Sequence, residues 1–142
     1  MNKDSNAELL CMLLNEAYPG KWITEFMAIN GRKYRFDVAN TSDKILIEID
    51  GGLHPFWRKF PDGSKMKVIK AGHSTAEGIE RDMEKGNAAM VEGWKLLRYT
   101  PETLKLHPYK IMADLWKLIG KPTGRTSTAQ LELTMLVQEK IA

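Results

Sequence analysis

Three carboxylates stand where a buried strand would ordinarily carry apolar residues. Asp37 follows Tyr34-Arg35-Phe36, and Glu48 and Asp50 interrupt the run Lys44-Ile45-Leu46-Ile47-Glu48-Ile49-Asp50. An unpaired carboxylate is expensive to bury, so such groups normally meet a cation, hydrogen-bond donors or a metal. Strand side chains alternate, which puts Glu48 and Asp50 on one face and Ile45, Ile47 and Ile49 on the other. A turn at Asn40-Thr41-Ser42-Asp43 joins the two runs and lets Asp37 approach Glu48. Three acids converging there would bind a hard divalent ion through oxygen ligands, Mg²⁺ first and Mn²⁺ as its substitute. The competing reading is a solvent-facing sheet surface whose acids pair with lysines. Gly51-Gly52 and His54 after the strand favour a ligand, because a bound group can come close over glycines.

The next twenty residues carry a second kind of chemistry. Arg58, Lys59, Lys65, Lys67 and Lys70 face a single acid, Asp62, with Phe56, Trp57 and Phe60 interleaved. Cations beside aromatics suit a phosphate backbone and an unstacked base, so the segment reads as a DNA-contacting element. A solvated loop whose aromatics pack back on the core is the alternative. With no clean period and a Pro61-Asp62-Gly63 turn inside it, the segment is a long basic loop or a protruding hairpin.

These groups need a scaffold. The chain has 142 residues, 43% hydrophobic and 27% charged, which suits one compact domain. No apolar run is long enough to span a membrane, and the first residues lack a signal-like apolar core, so a cytoplasmic protein is expected. Cys11 is the one cysteine, which excludes an internal disulfide and a multi-thiolate zinc site. A net charge of +3 leans mildly toward polyanions.

A capping-box pattern at Ser5-Asn6-Ala7-Glu8 precedes Leu9, Leu10, Leu13 and Leu14, predicting a helix from about Asn6 to Ala17. Asn30-Gly31 between 22–29 and 33–39 predicts a β-hairpin. A second capping box at Ser74 opens a helix to about Glu92, with Ile79, Met83, Ala89 and Met90 as its expected buried stripe. Gly93 stops it, Trp94–Tyr99 reads as a strand, and Thr100-Pro101 starts a helix that is interrupted near Pro108 and runs to Ile119. Trp22, Trp94 and Trp116 are expected in the core. The expected organisation is a core domain over 1–119, a linker over 120–128 and a C-terminal helix over 129–142 that could serve dimerisation.

Asp37, then Ile47-Glu48-Ile49-Asp50-Gly51-Gly52 with His54, then His73, Asp82, Lys85, Asn87 and Gly93-Trp94-Lys95-Leu96-Leu97-Arg98-Tyr99-Thr100 resemble the PD-(D/E)XK nuclease superfamily. The likeness is to small phage- and prophage-type endonucleases related to very-short-patch-repair nucleases, and it spans about residues 5–104. It implies a restriction-endonuclease-like α/β core, a mixed sheet of about four strands flanked by helices. It also implies a Mg²⁺-dependent DNA endonuclease, active in the host cytoplasm if phage-encoded, in which Asp37 and Glu48 bind the metal. Asp50 stands where such enzymes usually carry a lysine, so either Asp50 is another ligand or the lysine has moved, with Lys85 the replacement. Glu8 resembles an extra acid that some members project toward the metal, or it is a capping partner of Ser5; Glu25 is a weaker candidate of the same kind. His73 is a base, a phosphate donor or a loop residue. A branch- or junction-cutting homodimer is the expected form, with a mismatch- or site-specific nicking enzyme or a catalytically inactive DNA-binding module as alternatives.

Overall fold

The computed structural model describes residues 3–50, 54–70 and 76–124. The expected tail helix 129–142, linker residues 125–128, Gly51-Gly52, His73 and the Ser74 capping box lie outside them. Elements run α1 (Lys3–Ala17), β1 (Ile23–Phe26), β2 (Phe36–Asn40), β3 (Ile45–Ile49), β4 (His54–Lys59), β5 (Lys65–Lys70), α2 (Ala76–Val91), β6 (Lys95–Tyr99), α3 (Pro101–Leu106) and α4 (Pro108–Ile119). The main sheet has the order β1-β2-β3-β6, with β1, β2 and β3 antiparallel and β6 parallel to β3. A parallel neighbour needs a crossover, and α2 supplies it. The result is a mixed α/β fold, a four-strand sheet flanked by helices.

β2 and β3 are central and buried at every position, so they must satisfy cores on two sides. Val38, Ile45, Ile47 and Ile49 pack with Leu10 and Leu14 of α1, Leu104 of α3 and Ile111 and Leu115 of α4. Leu46, Ala39 and Phe36 pack on the other side with Ala89 of α2 and Trp94. Each fully buried isoleucine or leucine here contributes about 2 kcal/mol of transfer free energy. Trp22 and Trp94 are buried and Trp116 packs against the first core, as expected. Thr100 caps α3 by accepting from the Thr103 N–H, with Pro101 in the first turn.

Several sequence expectations are corrected. α1 begins at Lys3, so Ser5 lies inside its first turn rather than capping it. Gly31 does turn the chain, with φ +78°, but β1 and β2 meet at Phe26 opposite Phe36, with residues 27–35 as a longer connection. Ile29 is buried and Phe26, Ala28 and Tyr34 pack on the α2-side core, which holds that connection against the body instead of in a tight hairpin. On α2, Ala89 is buried, whereas Ile79, Met83 and Met90 are 41%, 63% and 60% exposed. The helix packs through small residues, Ala88 and Ala89, because these allow close approach to Leu46, Leu96 and Trp94. Gly93, at φ +87°, ends α2 with two reverse bonds, Trp94 N–H to Ala89 O and Gly93 N–H to Met90 O.

Residues 54–70 form a two-stranded hairpin, β4 paired to β5, which decides between the two expectations in favour of a hairpin over a loop. Its turn is closed by Phe60 N–H to Ser64 O, while Asp62 accepts from both the backbone and the hydroxyl of Ser64. Those bonds hold the Asp62 carboxyl below its ordinary pKa. After α4, Gly124 N–H donates to Ala17 O, tying the middle of the expected 120–128 linker to the end of α1.

Candidate catalytic site

The β2–β3 register pairs Val38 with Ile47, and one step further puts Asp37 opposite Glu48. At that step side chains take over from the backbone ladder. The Asp37 N–H donates to Glu48 Oε1 at 3.2 Å, and the Ile49 N–H donates to Asp37 Oδ2 at 2.8 Å. Both carboxylates are 2% exposed. Carboxylates this close together and this far from water call for compensating groups around them.

Lys85 supplies the compensating charge. It lies one turn before Ala89, the buried residue of α2, and so faces the sheet. Its Nζ is 2.8 Å from Glu48 Oε1 and also donates to Arg35 O. The ammonium sits 4.5 Å from the centre of the Phe36 ring, a favourable cation–π position. The Lys85 and Glu48 side chains are 14% and 3% exposed, so the pair is largely shielded from screening by salt. Asp37, Glu48 and Lys85, three residues singled out in the sequence from different elements, thus come together.

The other expected site residues are placed differently. Asp50 follows β3 and accepts from Arg98 Nη1 at 3.2 Å. Among the described residues no group of three or more metal-ligating side chains is assembled, so Asp50 does not complete a trio with Asp37 and Glu48 here. Glu8 is exposed on α1. Glu25 is exposed on β1 with φ +53°, between register pairs Thr24–Val38 and Phe26–Phe36, which is the step that faces Asp37. A left-handed backbone at a glutamate is uncommon, and no spacing in the sequence signals it. Arg58, Lys59 and Lys65 are exposed on the β4–β5 hairpin, where Lys59 is directly opposite Lys65. Lys67 and Lys70 lie on β5, opposite Trp57 and His54 in the register.

Arg98 stands in the Gly93–Thr100 motif of the sequence, which gave it no role of its own; the parallel register sets it directly opposite Glu48. An open groove of about 310 Å³ along α2, lined by Arg32, Tyr34, Glu77, Glu80, Arg81 and Glu84, is a separate feature. Arg32 donates to Glu84 there and holds its carboxyl below the usual range. With three glutamates against two arginines the groove does not suit a phosphate.

The donor set of Asp37 and Glu48 fits Mg²⁺, which prefers carboxylate oxygen and keeps several waters instead of needing an all-protein cage. Comparison of the chain with protein-family models, curated proteins and solved structures found no match.

Proposed function

We propose that this chain is a metal-dependent endonuclease that hydrolyses phosphodiester bonds in DNA. The observation that carries the reading is the buried Asp37–Glu48 pair on neighbouring strands, with the ammonium of Lys85 on Glu48. A fold with no catalytic use for these charges would be served as well by apolar residues of similar volume. Asp37 and Glu48 would hold the divalent ion, which when bound supplies an activated water and stabilises charge on the phosphate.

The chain's own groups do the rest. Backbone N–H bonds from Asp37 and Ile49 fix one oxygen of each carboxylate and so orient the other. Lys85 has three N–H donors, of which Glu48 and Arg35 take two. The third is the donor a non-bridging phosphate oxygen or the attacking water would take, the role of a lysine displaced from the position of Asp50. The order helix, three strands, helix, parallel strand also supports a restriction-endonuclease-like core. The β4–β5 hairpin, entered four residues after Asp50, would carry the nucleic-acid backbone on Arg58, Lys59 and Lys65, with Lys67 and Lys70 continuing the basic strand. Like charges directly opposite on a ladder, as at Lys59 and Lys65, are destabilising, and a polyanion relieves that cost.

The reading is tested by plasmid relaxation and thermal unfolding with Mg²⁺, Mn²⁺ or chelator. It predicts metal-dependent strand breaks and a metal-linked rise in Tm, both lost in Glu48→Gln. A second reading, a DNA-binding module without catalysis, is favoured by Asp50 being engaged with Arg98. It predicts DNA binding with neither effect.

A further inference from the structure

Arg98 is the one cation of the main sheet that stands directly across from Glu48 in the described register. Its guanidinium is shared between two acceptors at the long end of the hydrogen-bond range, Asp50 Oδ2 at 3.2 Å from Nη1 and Asp82 O at 3.3 Å from Nη2. The Arg98 and Asp50 side chains are 38% and 44% exposed, so their pairing is weak and open to exchange. The seat behind the guanidinium is built. A Cβ added at Gly86 of α2 would lie 3.0 Å from Arg98 Nη2 and 3.6 Å from Leu96 Cδ2. Glycine inside a helix is destabilising relative to alanine, so α2 gives up stability to let the guanidinium lie close. A planar fork of donors matches a phosphate better than it matches one carboxylate oxygen.

We propose that Arg98 binds a backbone phosphate of the nucleic acid beside Glu48, and that Asp50 occupies its guanidinium until that phosphate displaces it. The proposal rests on the nuclease reading for its substrate, but not on catalysis. Asp50 then acts as a resident competitor, which accounts for an acid at a position facing a polyanion. Asp82 O stays on Nη2 and keeps the side chain aimed while Nη1 changes partner.

The test measures duplex-DNA binding by fluorescence anisotropy in chelator, where no cutting occurs, and single-turnover cleavage in Mg²⁺. Arg98→Ala is expected to weaken binding about tenfold or more and to lower the log–log salt slope by about 0.9, the loss of one phosphate contact. Arg98→Lys, which keeps the charge without the fork and controls for folding, should recover only part of the affinity. Asp50→Asn should tighten binding several-fold, beyond the effect of removing an exposed acid elsewhere by Glu102→Gln. That gain should vanish in the Arg98→Ala background. A purely structural ion pair predicts instead that Asp50→Asn and Arg98→Ala lower Tm and leave affinity within twofold, and that result would overturn the proposal. Equal tightening by Asp50→Asn with or without Arg98 would overturn it too. Stabilisation by inorganic phosphate as large as that by DNA would reassign the seat to free phosphate. Wild-type protein that binds DNA through Arg98 but never cuts would retire the nuclease reading and leave this one standing.

Discussion

Removing the Lys85 ammonium should cost more stability than any exposed lysine can supply. Lys85→Met keeps most of the stem and its contact with Phe36 while deleting the charge. Glu48 then remains 2% exposed beside Asp37, still accepting from the Asp37 N–H. Breaking one side of a buried ion pair typically costs about 3–5 kcal/mol, against about 1 kcal/mol or less for surface pairs. Lys85 is 14% exposed, so the lower end applies, about 3 kcal/mol, or roughly 10 °C in Tm for a domain of this size. Chemical denaturation at pH 7 of wild type, Lys85→Met, Glu48→Gln and the double variant closes a cycle. The double variant should recover at least about 2 kcal/mol relative to the sum of the singles. Mg²⁺ should also raise the Tm of Lys85→Met more than that of wild type, since a cation at the carboxylates would replace the lost charge. A loss below about 1 kcal/mol with coupling under about 0.5 kcal/mol would refute the reasoning, because the two charges would then not be sharing a buried site.

Asp37→Asn should abolish cleavage with its far-UV circular dichroism unchanged, because the amide oxygen can still accept from the Ile49 N–H; retained cleavage would remove Asp37 from the metal site. Replacing both Lys59 and Lys65 by alanine should flatten the log–log salt dependence of DNA binding by about one unit per lost contact. The same double change should leave Tm unchanged or slightly higher, since it relieves a like-charge pair. The Tyr18 phenol, buried and donating to Gly120 O, is pushed up to about 12. Its neutral form is favoured by folding, so the stability it contributes is complete below its ordinary value and is lost as pH rises through about 12, as near-ultraviolet tyrosinate absorbance would follow. Burial likewise raises the Cys11 thiol, so alkylation should be slower in native than in unfolded protein at the same pH.

What the sequence made legible follows from how locally each feature is determined. Alternation in β3 identifies the isoleucine face correctly, because a central strand leaves no freedom in which side meets which core. Lys85 is recoverable from sequence through the resemblance and its place one helical turn from Asp82 on a helix expected to flank the sheet; the structure puts it on the face of Ala89. The Asn30-Gly31 turn misleads because local turn chemistry cannot report that Ile29 and Phe26 have tertiary partners holding the connection open. The expected α2 stripe fails for a related reason. Large apolar side chains mark a buried face only when the neighbouring sheet leaves room for them, and here the small residues make the contact. Arg98 meets Glu48 only through the parallel register, which is set by a crossover rather than by any spacing in the chain. The left-handed Glu25, which falls between two register pairs of β1 and β2, likewise has no signal in the sequence.

The central claim is that Asp37 and Glu48, with the Lys85 ammonium on Glu48, form a metal-dependent phosphodiesterase site. Its most direct test incubates purified protein with labelled linear duplex, single strand, flap, mismatch and four-way junction in Mg²⁺, Mn²⁺ or chelator, beside Glu48→Gln. The account predicts cutting only when metal is present, absent in the variant. Binding to these DNAs without cutting in either metal, by wild type and variant alike, would contradict it and leave a DNA-binding module.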